Sequence, residues 1–280
     1  MKKNHPPYRK ISTKIREYIL KMLYQGQSPH AGSNLSAVDL LTVLYFNTLN
    51  INSKDPEWED RDRFILSKGH AAALMWAILA EKGFFPKKRL NTYYKNNGLP
   101  GHVTKLNVPG VDFSTGSLGH GLSFACGVAL SAKRYKKNYR TFVILGDGEM
   151  DEGSIWEALL FAPHNKLDNL TVIVDYNKIQ SLDYVENILD LEPLYDKLKA
   201  FGWNTIEIDG HNHKEIEKAL NNTIKNKPTF IIAHTIKGKG VSFMENSIDW
   251  HYWNIDEKIL QQAFNELKIR TSNDFGSEFF

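Results

Sequence analysis

A single cysteine, Cys126, stands among 280 residues, so no disulfide can close within the chain, and this usage fits a reducing compartment. It lies in the small apolar stretch FACGVAL and is expected in the core. No apolar run reaches the ~18 residues that a membrane-spanning helix needs. The basic opening MKKNHPPYRK leads into the amphipathic ISTKIREYILKMLY instead of an apolar core with a cleavage site, so secretion is not expected and a cytoplasmic location is. An excess of one charge is missing too: 35 Lys and Arg against 32 Asp and Glu leave a net charge of +3. Acids and bases are interspersed, and a run such as KRYKK at 133–137 reads as a solvated helix end, so neither nucleic acid nor membrane is expected as a partner. Internal repeats and low-complexity linkers are also absent. With 42% hydrophobic and 24% charged residues, the chain reads as one globular domain.

What is present is a regular alternation. Ile11, Ile15, Ile19 and Met22 recur at helical spacing, and Ser36 opens a second apolar segment, AVDLLTVLYF. RFILS reads as a strand and HAAALMWAILAEKG as a helix buried on most sides and stopped by Gly83. A loop rich in Gly, Pro and Asn leads to TGSLGHGLSFACGVAL, helical in its second half. Then TFVILG, LTVIVDYN, WNTIEIDG and TFIIAHTI read as strands, separated by the helices SIWEALLFA, LYDKLKAFG and HKEIEKALNNTIK. Continuous apolar strands between amphipathic helices predict an α/β fold with a doubly wound, mostly parallel sheet covered on both faces. The domain is expected over 1–267, with a loose tail over 268–280.

Ligands of such sheets sit beyond the carboxyl ends of the strands. Gly146-Asp147-Gly148 falls at one such end and Tyr176-Asn177 at another. A dinucleotide fingerprint needs a third glycine where Asp151 stands, and the acids that crowd this turn would repel phosphate. The repulsion vanishes if a divalent cation lies between acid and phosphate, ligated by the Asp147 carboxylate and the Asn177 amide oxygen, the hard donors that magnesium and calcium prefer. The competing reading is a turn whose acids merely favour a helix N-terminus. The return of Asn177 at the next strand end favours the metal-bridged diphosphate. Ser154 and Glu157 are spaced as a capping box for the following helix.

GDG followed thirty residues on by DYN resembles the cofactor motif of thiamin-diphosphate enzymes. LSKGHAAALMWAIL, GLPGH, TGSLGHGLSFACG, GDGEMDEGSIWEAL, DYNKIQ and TIKGKGVSFMEN, in this order, resemble the N-terminal half of transketolase, from about Ile11 to Trp250. In that family this half binds the diphosphate and a second domain binds the aminopyrimidine. The chain is thus similar to the smaller subunit of a split transketolase.

The resemblance implies that Asp147, the Asn177 side chain and the Ile179 carbonyl ligate magnesium, with calcium or manganese as substitutes. It implies that Gly148 offers its amide to the diphosphate, and that Gly116, Ser117 and Leu118 contact the aminopyrimidine. Glu152 matches an acid of the family's subunit interface that links two cofactor sites. His30, His70, His102 and His251 match positions around the diphosphate and the substrate hydroxyls; His30, His102 and His251 are the catalytic candidates, and His70 and His251 the cofactor contacts. His120 stands where the family often has glutamine and is left open, whereas His164, His211, His213 and His234 are expected to be structural. The implied activity is transfer of a glycolaldehyde unit from a ketose or its phosphate to an aldose or its phosphate. The implied partner is a C-terminal subunit carrying the pyrimidine-binding domain, in an α2β2 heterotetramer.

The chain departs from the family where SPHAG replaces SGHPG, GHVT replaces GHPE, and Tyr-Trp follows His251. These positions touch the substrate channel, so the sugar stays open. Open as well are a deoxyxylulose-phosphate-synthase-like or decarboxylating subunit, a non-catalytic assembly subunit, and a nicotinamide-binding protein. Trp156 and Phe161, on the helix after GDG, are expected either in the core or in a partner interface.

Overall fold

A computed structural model describes residues 6–106 and 108–269. Five strands, β1 (Arg63–Leu66), β2 (Thr141–Gly146), β3 (Leu170–Tyr176), β4 (Asn204–Asp209) and β5 (Thr229–His234), form one sheet in the order β1-β2-β3-β5-β4, every pair parallel. Side chains alternate across a strand, so one apolar run serves two cores. Phe64, Leu66, Phe142, Ile144, Ile173 and Ile231 enter one core, while Ile65, Val143, Leu145, Val172, Val174, Phe230 and Ile232 enter the other.

The first core is closed by α1 (Tyr8–Gly26), α2 (Ala31–Ser36), α3 (Val38–Val43) and α4 (Ala72–Lys82), and the second by α5 (Gly121–Arg134) and α6 (Gly153–His164). After the short α7 (Val185–Ile188), α8 (Leu194–Ala200) joins the second core. Both α9 (His213–Leu220) and α10 (Glu257–Glu266) return to the first. Helices on both faces of a parallel sheet are the doubly wound arrangement that the alternation predicts. In α4 every residue from Ala72 to Ala80 is buried, as its all-round apolarity requires, and Gly83 ends it in the left-handed conformation.

Ser154 and Glu157 form no capping box: α6 starts at Gly153 after Glu152, and Ser154 Oγ instead donates to the Gly119 carbonyl at 2.9 Å. The hydroxyl thus ties the GDG helix to the TGSLG turn. Ser36 ends α2 instead of opening a helix, because its Oγ donates to Asp175 at 2.5 Å. Helix α9 stops at Leu220, since the Asn222 carbonyl is taken by the side chains of Asn204 and Thr229 at the sheet. Helix α10 is not anticipated from the periodicity; Asp256 caps it through the Ile259 amide at 2.7 Å, and Leu260, Ala263 and Phe264 bury its inner face. Of the tail expected from 268 on, Lys268 and Ile269 are described, with Ile269 packed on the first core, and residues 270–280 lie outside the described residues. Among the described residues no helix is long and apolar enough to cross a membrane.

Candidate active site

The carboxyl ends of β1, β2 and β3 deliver three turns to one rim of the sheet. Gly69 lets the first of them approach the TGSLG segment, since a Cβ there would lie 2.6 Å from the Thr115 carbonyl carbon. Gly119 has φ +88°, and a Cβ would meet Glu152 Cβ at 2.8 Å, so only glycine lets this turn close on the GDG segment. Glu149 fastens the three pieces together from beneath. Its carboxylate accepts from Ser67 Oγ, from the Gly119 amide at 2.9 Å and from the Gly146 amide at 3.3 Å. The acids after Asp147 therefore do not all crowd the turn as repelling charges: Glu149 is buried and satisfied, and Asp151 accepts from Gln180 Nε2 at 2.9 Å.

A cavity of about 420 Å³ opens above this rim. It gathers His30, His70, His102, Leu118, Asp147, Gly148, Asn177, Ile179 and His251, nearly the whole set of sequence candidates. Gly116 stands behind the wall, where a Cβ would touch the His102 ring at 3.1 Å, and Ser117 is exposed. Glu152 is exposed before α6, and His120 is exposed with its Nδ1 on the Leu118 carbonyl at 3.0 Å; neither lines the cavity. A larger cleft of about 1490 Å³ between α1 and α9, lined by Tyr8, Lys14, His213 and Glu217 among others, contains none of these candidates.

The four histidines form a continuous row. Ring centroids lie 4.9 Å apart for His251 and His30, 5.2 Å for His30 and His70, and 4.6 Å for His70 and His102. Burial pushes His70 down to about 4 and His251 down to about 3, the neighbouring positive groups adding to it, and lowers His30 as well. These three rings are therefore neutral near neutral pH. Hydrogen bonds then assign the tautomers of His30 and His251. His30 Nδ1 donates to the His251 carbonyl at 2.9 Å, which leaves Nε2 with its lone pair. His251 Nδ1 accepts from Lys237 Nζ at 3.2 Å, which puts its proton on Nε2.

Beneath the row, Lys68 Nζ pairs with the fully buried Asp175 and donates to the Ser33 carbonyl at 2.8 Å. Burial opposes ionisation of Asp175, but Lys68 and the hydroxyls of Ser36 and Thr235 outweigh it and hold the carboxyl below its ordinary range. Asp147 has no such cation. Its carboxylate is buried and takes only backbone amides, Gly148 at 2.8 Å and Lys178 at 2.6 Å, and no ion pair reaches it among the described residues. Burial, reinforced by Asp175, pushes it up to about 7.

A divalent cation would remove that frustration. Asn177 Oδ1 and the Ile179 carbonyl supply further oxygen beside it, each holding one donor at present, Ile179 N at 3.2 Å and Lys237 Nζ at 3.0 Å respectively. A carbonyl oxygen has two lone pairs, so each retains one. Among the described residues no three His, Cys, Asp or Glu side chains converge on one point, and the donor set here is one carboxylate, one amide and one backbone carbonyl, which fits a hard cation. The Gly148 amide, expected to face the diphosphate, is spent on Asp147 in this state.

Sequence reasoning passes over Lys68 and Lys237, although both lie inside the quoted motifs SKGH and TIKGKG. Lys237 is 1% exposed; its ammonium donates to the carbonyls of Ile179 and Gln180, the latter at 2.7 Å, and burial pushes it down to about 8. A lysine embedded in a motif at a strand end is the signal that could have found them. Tyr252, expected at the substrate channel, and Gln180, within DYNKIQ, also line the cavity, as do Ser33 and Ser181, which no residue pattern marks.

Residues 8–276 match the family model described as transketolase, thiamine diphosphate binding domain. The chain is 41% identical over 257 residues to the 6-deoxy-6-sulfo-D-fructose transketolase subunit SqwG of Clostridium sp. (strain MSTE9), covering 91% of this chain and 94% of that one. It is 42% identical over 241 residues to an apulose-4-phosphate transketolase subunit of Actinobacillus succinogenes, covering 85% and 87%. Among solved structures it resembles transketolase from Leishmania mexicana, with a TM-score of 0.90 and 28% identity, over 97% of this chain but 44% of that one.

Proposed function

The chain belongs to the transketolase family, as its thiamine diphosphate binding domain, and on that premise we propose that it is the diphosphate-binding subunit of a two-chain transketolase. Thiamine diphosphate, when bound, supplies the carbanion chemistry that breaks and remakes the bond beside a ketose carbonyl. The reading is carried by one observation: among the described residues the buried Asp147 carboxylate forms no ion pair, and it faces the same cavity as Asn177, Ile179 and four histidines. Asp147, Asn177 Oδ1 and the Ile179 carbonyl would hold magnesium, and the cation would carry the diphosphate. Gly148 would turn its amide to that diphosphate once the cation engages Asp147. Leu118, with Gly116 and Ser117 behind it, would border the pyrimidine, and Glu152, on the surface, would meet a second copy.

The tautomers divide the proton work between two residues. His30 Nε2 is an unprotonated acceptor and takes the hydroxyl proton released when the ketose is cleaved. His251 Nε2–H is a donor to the substrate oxygen. His70 and His102 extend the polar wall toward the cofactor and sugar hydroxyls. The transferred unit is glycolaldehyde, passed from a ketose to an aldose.

The two relatives are named for a sulfo-sugar and a sugar phosphate, so an anionic sugar is the substrate class inferred here. Lys68 is committed to Asp175, so the cation that reads the sugar's anionic end comes from the partner. Exposed large apolar side chains support a partner. Leu160 and Phe161 stand out on α6, and Phe124, exposed on α5, stacks on Phe113 at 3.9 Å. A C-terminal subunit carrying the pyrimidine-binding domain, in an α2β2 assembly, is the partner proposed.

The test is titration of the reconstituted pair with magnesium and thiamine diphosphate, followed by assay of a ketose donor against pyruvate. Saturable binding lost in Asp147→Asn, with turnover of the ketose, is the expected result. Turnover of pyruvate alone, or binding of NAD in place of thiamine diphosphate, would refute it.

A further inference from the structure

The turn that carries Lys237 is held at both ends by one carboxylate remote from the cavity. On one side the Ile236 amide donates to His211 Nε2 at 2.9 Å, and His211 Nδ1 donates to Asp39 Oδ2 at 3.0 Å. On the other, Arg16 Nε donates to the Lys239 carbonyl at 2.9 Å, and Arg16 Nη2 pairs with the same Asp39 oxygen at 2.7 Å. Asp39 is buried and also accepts from His213 Nε2 at 3.0 Å. Between the two arms, Lys237 reaches Ile179, Gln180 and His251. We infer that Asp39, acting through His211 and Arg16, is a positioning residue that aims Lys237, and through it sets both the Asn177–Gln180 turn and the tautomer of His251.

The Ile236 amide donates to a lone pair on His211 Nε2, and the Asp39 carboxylate selects that tautomer by accepting from Nδ1–H. A lysine stem has four rotatable bonds, so its ammonium is placed only as well as its backbone is. Because two arms fix residues 236 and 239, the ammonium meets its three acceptors without searching. The inference rests on reading the cavity as the magnesium and thiamine diphosphate site, since only then does the placement of Ile179 and His251 matter to chemistry.

Three substitutions test it. His211→Leu keeps the size of the side chain but leaves the Ile236 amide without an acceptor, His211→Gln restores an acceptor, and Lys237→Ala removes the group being aimed. Histidine-labelled chain is examined by NMR for the His251 tautomer, and the reconstituted pair is titrated with magnesium and thiamine diphosphate. The expected result is loss of the single Nε2–H form of His251 and affinity about tenfold weaker in His211→Leu, recovery of both in His211→Gln, and no further loss when His211→Leu is added to Lys237→Ala. An unchanged His251 signal in His211→Leu at an unchanged melting temperature would overturn the inference, as would equal losses in the presence and absence of Lys237. A wild-type pair that binds no thiamine diphosphate would remove the functional reading instead, and the His251 signal would still report on the positioning.

Discussion

The backbone amide and the ring Nδ1 of His30 both donate to a single acceptor, the carbonyl of His251, each at 2.9 Å. One peptide oxygen thereby locks two catalytic candidates that are 221 positions apart. It also holds His30 at φ 75°, a left-handed conformation that a non-glycine residue adopts only under constraint.

His30→Asn removes the free Nε2 that would accept the hydroxyl proton. Turnover by the reconstituted pair is expected to fall about 100-fold or more. Cofactor affinity should stay close to wild type, because no hydrogen bond among the described residues joins His30 to Asp147 or Asn177. Steady-state kinetics combined with cofactor titration separates the two effects.

Lys68→Met leaves Asp175 as a buried charge without its cation. Breaking such a pair costs roughly 3–5 kcal/mol, and the loss should appear as a lower denaturation midpoint even without metal or cofactor. Replacing both partners together, with Lys68→Met and Asp175→Leu, should recover much of that loss. Equilibrium unfolding of both variants measures it.

Acid should destabilise the chain through its histidine row. Burial lowers His70 from 6.5 to about 4 and His251 from 6.5 to about 3. In both, the unfolded chain binds more protons than the folded one below about 6.5, so stability is present above that value and falls as the pH drops toward 4. His70→Gln removes one titrating ring, and its melting temperature should decline less steeply over that window. A slope equal to that of the wild type would show that the ring protonates without cost in the folded state.

Phe161→Glu places a charge among the exposed apolar side chains of α6, next to Leu160 in sequence. Because Phe161 is 42% exposed, the isolated chain should keep its stability within about 0.5 kcal/mol of wild type. Assembly should nonetheless fail, and sedimentation of the mixed subunits reports it. Trp156 offers no comparable test, since it is partly buried, donates to the Met150 carbonyl at 2.8 Å and packs against Phe201.

Elements and motifs are legible in the chain because they depend on local order. Short apolar runs such as TFVILG and LTVIVDY, alternating with amphipathic helices, read as strands buried on two faces, and their ends place Asp147 and Asn177 on one rim before any tertiary contact is considered. Matched motifs likewise name His30, His70, His102 and His251, which meet in one cavity. Hydrogen-bond partners are another matter. Ser154 fits the pattern of a helix cap, yet its hydroxyl serves Gly119, thirty-five positions before it in the chain.

Sequence alone thus determined the parallel doubly wound sheet and which strand ends carry the GDG and DYN turns, since period and strand end are properties of neighbouring positions. Only the tertiary structure decided which acid is neutralised and which ring holds a proton. Asp147 and Asp175 are both acids at strand ends, but Lys68 forms its ion pair with Asp175; the tautomers of His30 and His251 are set by whether a carbonyl or an ammonium faces Nδ1. Charge state and tautomer follow from burial and from contacts between distant segments, and these come into being when the chain closes on itself.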